Sequence, residues 1–258
     1  MKRIYFGSNL KMYKTSKETL AYLNTLAEKT KDLPRDKVKL FIIPSYTSLE
    51  LAVRAIDQGC IKLGAQNMCA QESGQFTGEI SPLMLKEIGV ELILVGHSER
   101  RHIFGENDYV ENEKVLAALK NGFTTLLCVG ETKAQKDYKA AEEILGLQIK
   151  IGLNSVQEDD LSRVWLAYEP VWSIGVEGIP ANKAYVEKMH QYIKKTLRDM
   201  FGEKGNMIPV LYGGSVNPGN ARELSQQHSV DGLFIGRAAW DADSFNKLIR
   251  SVLGERIL

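Results

Sequence analysis

Short apolar runs return along this chain about every thirty residues. They fall at Ile4-Tyr5-Phe6, 38–43, 61–65, 92–95, 124–129, 164–168, 208–212 and 233–235. Runs this short, set between polar or glycine-rich stretches, read as buried strands. Between them the apolar spacing turns helical. Residues 182–201 are the clearest case: Val186, Met189, Ile193, Leu197 and Met200 share one stripe, and Asn182 stands as N-cap just after Pro180. Leu20, Leu23, Leu26 and Ala27 make a similar stripe early on, and Val115, Leu116 and Leu119 make one in the middle.

Strands that alternate with helices pair in parallel, because parallel neighbours need a crossover. Eight such units in 258 residues predict an α/β chain closed into a single (β/α)8 barrel, one domain over 1–258. The alternative is an open doubly wound sheet. It requires a glycine-rich dinucleotide loop after the first strand, and Gly7-Ser8-Asn9-Leu10 is not one. No linker or low-complexity stretch divides the chain, and the charge-rich segment 29–39 around Pro34 reads as a solvated connection.

One stretch stands out, residues 165–180, WLAYEPVWSIGVEGIP. Its apolar start stops at Glu169-Pro170. Proline lacks a donor and pushes its predecessor out of the α region, so Glu169 falls at a strand end. Behind it come Val171, Trp172, Ser173 and Ile174, then Gly175, Gly178 and Pro180. A carboxylate beside a glycine-hinged apolar segment fits a base under a closing lid. A salt-bridged glutamate followed by an ordinary loop fits equally well.

In a parallel barrel, chemistry gathers at the carboxyl ends of the strands. That rule selects Asn9 and Lys11 after the first strand, His97 and Glu99 after the fourth, and Glu169 after the sixth. It also selects Gly213-Gly214-Ser215 after the seventh and Gly236 after the eighth. The last two turns suit an anion: small residues let backbone N–H groups approach, and helices start near Asn217-Pro218 and Ala238. Two tight turns with no ligand are the plain alternative.

Composition narrows the partners. A net charge of +1 gives no argument for nucleic acid or an anionic membrane surface. No apolar run approaches the length of a membrane span, and the N-terminal stretch is too polar for a signal peptide. The odd set Cys60, Cys69 and Cys128 favours a reduced, cytoplasmic setting. The four histidines lack metal spacing, so no metal site is expected.

The motifs Asn9-Leu10-Lys11-Met12, QFTGEIS (75–81), VGHSERR (95–101), Cys128-Val129-Gly130-Glu131, AYEPVW (167–172), LYGGSV (211–216) and Val230-Asp231-Gly232 resemble the signatures of the triosephosphate isomerase family. The likeness runs in order from about residue 3 to residue 253. It implies a cofactor-free TIM-barrel isomerase acting on a small phosphorylated sugar through a cis-enediol(ate). By the resemblance, Glu169 is the base, His97 the electrophile and Lys11 the fixed positive charge. Asn9 then donates to a substrate oxygen or fixes Lys11, and Glu99 pairs with Lys11. The neutral state of the imidazole is inherited with the resemblance; a helix beginning at Ser98 would favour it. Phosphate would be held by N–H groups from Gly175, Gly214, Ser215, Gly236 and Arg237. The lid would comprise Pro170, Trp172, Ile174 and Gly178 within 170–180. Thr77 would sit at the tip of a loop crossing to a second subunit, which implies a homodimer.

Several positions depart from the common pattern. Leu10 and Tyr13 flank the lysine, the lid reads IGVEGIP, and Arg237 follows Gly236 where paired glycines are usual. IGVEGIPA, LYGGSVNPGN and DGLFIGRAAW resemble a branch acting on four-carbon erythrulose phosphates. That substrate is favoured over dihydroxyacetone phosphate and D-glyceraldehyde 3-phosphate. A Schiff-base aldolase using Lys11 and a non-catalytic sugar-phosphate sensor remain as different classes. Trp165 and Trp240 are read as packing, Trp172 as the lid anchor, and Cys128 as a buried strand-end residue.

Overall fold

A computed structural model describes residues 3–175 and 178–254. Eight strands lie among them: β1 (Ile4–Asn9), β2 (Val38–Ile43), β3 (Lys62–Ala65), β4 (Leu92–Val95), β5 (Thr124–Val129), β6 (Val164–Tyr168), β7 (Val210–Tyr212) and β8 (Gly232–Phe234). All are parallel and pair in chain order, and β8 closes on β1 through Tyr5↔Gly232, Phe6↔Leu233 and Gly7↔Phe234. The open sheet is thereby excluded. The apolar runs found every strand. The first continues to Asn9, through polar residues that still carry the ladder, and the seventh starts only at Val210.

The pleat divides each strand between two cores. Tyr5, Phe41, Ile43, Leu92, Leu94, Leu126, Cys128, Trp165, Ala167, Leu211 and Phe234 fill the barrel interior. Their alternates, such as Phe6, Ile42, Ile93, Leu127 and Leu166, face the surrounding helices. Gly7 shows how tightly the interior is filled. A Cβ there would lie 1.9 Å from Cζ of Phe41, whose ring stacks on Phe234 at 5.7 Å and meets Trp165 edge-on. A hydrogen at Gly7 is what lets a phenylalanine cross the barrel.

The helix Lys183–Phe201 starts where its cap demands. Asn182 accepts the N–H of Tyr185, and Val186, Met189, Ile193 and Leu197 are buried along the stripe. The first helix, Ser16–Lys29, is rotated from the expected stripe. Thr19, Tyr22, Leu23 and Leu26 are its buried residues and Leu20 is half-buried, because the Tyr22 hydroxyl reaches in to the carbonyl of Ala239 at 2.7 Å. In the helix Asp108–Lys120, Val115 and Leu119 are buried as the spacing predicts, and so are Glu111 and Lys114, which the spacing does not predict.

The helix after β7 starts later than the sequence suggests. Residues 217–220 form a turn, with Ala221 N–H donating to Asn217, and the helix proper is Ala221–Ser225. After β8 comes a 3-10 turn, Arg237–Ala239, and only then the helix Ala242–Leu253. An anion at these loops would meet individual N–H groups, and a long helix dipole would contribute little. Among the described residues no helix is long and apolar enough to cross a membrane.

Candidate active site

Asn9 ends β1 and Lys11 follows in the left-handed region at φ 51°. A side chain there is strained by about 1–3 kcal/mol. The strain is held by hydrogen bonds: Lys11 N–H donates to Asn9 Oδ1 at 2.8 Å, and the Gln66 amide donates to the Lys11 carbonyl at 2.7 Å and to Asn9 Oδ1 at 3.1 Å. The twisted backbone delivers Nζ to Glu99 Oε1 at 2.7 Å. Trp240 supports the same corner, its Nε1 donating to the carbonyl of Asn9 at 2.9 Å and its ring lying against Tyr13.

His97 caps the helix Ser98–His102 and is 5% exposed. Its Nδ1 accepts the N–H of Glu99 at 3.2 Å. A nitrogen that accepts carries no proton, so in the neutral ring the proton is on Nε2. Nε2 lies 3.5 Å from Oε1 of Glu169.

Glu169 continues the inward register of β6 beyond Trp165 and Ala167. It is 3% exposed, and its Oε2 accepts the N–H of Ser98 at 3.2 Å. Two glycines make room for it. A Cβ at Gly213 would stand 2.9 Å from Glu169 Cγ, and one at Gly130 would stand 1.9 Å from the Glu169 carbonyl. The Cys128 thiol lies beside this carboxylate, and burial, reinforced by the neighbouring charge, pushes it well above the usual thiol range. Cys128 is thus an inert packing group.

Asn9, Lys11, His97 and Glu169 line one cavity of about 340 Å³ with Ser173, Ile174, Gly175, Gly178, Gly214, Ser215, Gly236, Arg237 and Trp240. That is near the lower end of the ~300–1,000 Å³ range of small-molecule sites. Gly214 is obligatory, since a Cβ would fall 2.3 Å from the Tyr212 hydroxyl. At Gly236 a Cβ would meet nothing within 4 Å, so that turn faces open space. Arg237 is exposed and avoids positive φ, which leaves its N–H in an ordinary 3-10 geometry. The N–H of Ser215 donates to Ser173 Oγ at 3.1 Å, so an anion there would have to displace a lid residue.

The lid segment starts from a buried anchor. Glu131 accepts from Trp172 Nε1 at 2.7 Å, from the Tyr185 hydroxyl at 2.8 Å and from the Tyr168 hydroxyl, and Lys136 Nζ sits 3.3 Å over the Trp172 ring. Its other end folds back, Ile179 N–H donating to the Trp172 carbonyl at 3.2 Å. Gly175 is at φ 94°. Val176 and Glu177 of the lid lie outside the described residues.

The family model described as triosephosphate isomerase matches residues 4–252. The chain belongs to the triosephosphate isomerase family. Among curated proteins it is 43% identical over 251 residues to an L-erythrulose-1-phosphate isomerase of Rhizobium etli, covering 96% of this chain and 92% of that one. It is likewise 43% identical over 247 residues to an L-erythrulose-1-phosphate isomerase of Mesorhizobium japonicum, covering 95% and 96%. To a triosephosphate isomerase of Aquifex aeolicus it is 40% identical over 251 residues, covering 97% and 100%.

Within this family member the structure brings Asn9, Lys11, His97, Glu169 and the turns at Gly175, Ser215 and Gly236 to one cavity. Glu99 stands behind Lys11. Thr77 lies apart, exposed in the loop between β3 and the helix Pro82–Glu87. Sequence reasoning missed Gln66, read Trp240 only as packing, and quoted Ser173 and Glu131 only as parts of longer stretches. Among the described residues no three His, Cys, Asp or Glu side chains are placed to hold a metal ion.

Proposed function

We propose that this chain is a ketol isomerase whose substrate is a four-carbon ketose phosphate, interconverting L-erythrulose 1-phosphate and D-erythrulose 4-phosphate. The observation that carries the reading is the meeting of Lys11, His97 and Glu169 around one cavity bordered by the turns after β6, β7 and β8. Glu169 takes the proton from the carbon next to the carbonyl and returns it to the former carbonyl carbon. His97 donates its Nε2 proton to the oxygen that gains charge and recovers one from its neighbour. Lys11 supplies positive charge where the enediolate develops. Asn9 acts through the backbone of Lys11, whose N–H it accepts. The dianion is held by N–H groups of Gly175, Ser215 and the Gly236-Arg237 turn, and its arrival draws the lid closed over the enediolate, out of reach of water.

The four-carbon substrate is supported by the two 43% relatives and by Arg237 at the β8 turn. The three-carbon substrate is the second reading, supported by the 40% relative from Aquifex aeolicus. A coupled assay that compares erythrulose 1-phosphate with dihydroxyacetone phosphate decides between them. The larger kcat/KM is expected for erythrulose 1-phosphate, and a larger value for dihydroxyacetone phosphate reverses the assignment. A Schiff-base role for Lys11 is disfavoured by its commitment to Glu99, a geometry for a fixed charge.

The working form in this reading is a cytoplasmic homodimer. Met12, Phe76, Ile103 and Phe104 are exposed apolar side chains on loops following β1, β3 and β4, on one side of the barrel mouth with Thr77. Sedimentation is expected to show a dimer, weakened by Thr77→Asp.

A further inference from the structure

The helix Asp108–Lys120 buries a carboxyl group that the reaction above does not use. Glu111 is wholly inaccessible, and among the described residues its Oε1 has no hydrogen-bond partner. Its Oε2 lies against Nη2 of Arg101, whose side chain is itself only 8% exposed. The guanidinium is engaged on every side. Nη1 pairs with Asp108, Nε donates to the carbonyl of Gly96 at 2.9 Å, and Nη2 donates to the carbonyl of Cys128 at 3.1 Å.

Those two carbonyls mark the ends of neighbouring strands. Gly96 is the single residue between β4 and His97, and it turns at φ 70°. A Cβ at Gly96 would come within 3.0 Å of the Glu111 carboxyl carbon, so the turn rests directly on that carboxyl group. Cys128 lies in β5 beside Glu169, and a narrow crevice with no room for water is lined by Gly96, Arg101, Cys128 and Glu169. An apolar side chain would fill the place of Glu111 without any desolvation cost. Its presence beneath the turn that aims His97 is the feature to explain.

We propose that Glu111 is a positioning residue for His97: it fixes Arg101, and Arg101 fixes the Gly96 turn that orients the imidazole. This rests on the isomerase reading, in which His97 meets the reacting oxygens. Burial pushes the Glu111 carboxyl up to about 8, with Asp108 and Glu106 reinforcing and Arg101 and Lys114 opposing. Cys128, facing it from β5, stays a neutral thiol. At neutral pH the group is therefore mostly a neutral acid. Above that pH the anion competes with the Cys128 carbonyl for Nη2 and loosens the strand ends.

Two substitutions test this. Glu111→Leu removes the polar group, and the imidazole shift should lower kcat roughly ten- to hundredfold. The KM and the inhibition by inorganic phosphate should stay within about twofold, since the turns after β7 and β8 lie across the barrel from β4. Glu111→Gln keeps the shape without the titration. It should retain kcat near neutrality and lack the alkaline fall, centred at about 8, that is expected of the parent protein. The nitrogen-15 resonance of His97 Nδ1, an acceptor in the parent, should move in Glu111→Leu and stay in Glu111→Gln. Parent-like kcat in Glu111→Leu, or a parent-like alkaline fall in Glu111→Gln, overturns the proposal. Should the leucine variant not fold, the glutamine variant decides alone. A parent protein inactive on every ketose phosphate would overturn the isomerase reading instead, and the His97 resonance would still judge this one.

Discussion

In the proposed reaction Glu169 is the residue on which the chemistry turns, and its position is over-determined. Gly130 and Gly213 leave room for it, Ser98 N–H holds one oxygen, and His97 Nε2 faces the other. Glu169→Asp withdraws the carboxylate by about one bond, and a misplacement of ~1 Å costs roughly 10²-fold. The expected result is a kcat lowered by about that factor with unchanged folding, measured by steady-state kinetics and circular dichroism. Much of this residue set is legible in sequence, because strand ends in a barrel are also the ends of apolar runs. Gln66 and Trp240 are not. Each acts by a hydrogen bond to Asn9 from 57 or 231 residues away, and neither interrupts its own local pattern. Glu111 and Lys114 were hidden for the opposite reason: a charged residue on a helix looks solvated until its partners arrive from other segments.

At the scale of elements, alternation along the strands explains both the closure and the site. Each inward side chain adds to one interior core, and the positions just beyond that core, Asn9 and Glu169, emerge into the cavity on the same parity. This follows from a period of two and needs no knowledge of partners, so eight strands and their order could be read before any coordinates. The late start of the helix after β7 could not, since a turn such as 217–220 and a helix start share the same residues, Asn, Pro and Gly. The interior has no slack at β1. Gly7→Ala drives a methyl group into the Phe41 ring, and overpacking of this kind costs about 1–3 kcal/mol. The melting temperature of Gly7→Ala is expected to fall, and adding Phe41→Leu should return part of the loss.

At the scale of the whole molecule, one buried imidazole ties stability to pH. His190 is inaccessible, packed edge-on to Tyr168 and beside Tyr212 behind the lid anchor. Burial pushes its pKa down from 6.5 to about 4. The native chain therefore binds this proton less readily than the unfolded chain. The contribution of the group, on the order of 3 kcal/mol, is present above the unfolded value and lost as pH falls through the native one. Urea midpoints taken from pH 6.5 down to about 4 should decline, and His190→Gln should decline less over the same window.

The barrel brings three groups, distant along the chain, around one cavity, and the proposed reaction has a proton pass there between adjacent carbons of a ketose phosphate. Solvent-deuterium exchange with erythrulose 1-phosphate tests that directly. The account predicts deuterium at the carbon beside the carbonyl with the parent enzyme and none with Glu169→Gln. Absence of exchange in the parent, or equal exchange in both proteins, would contradict it.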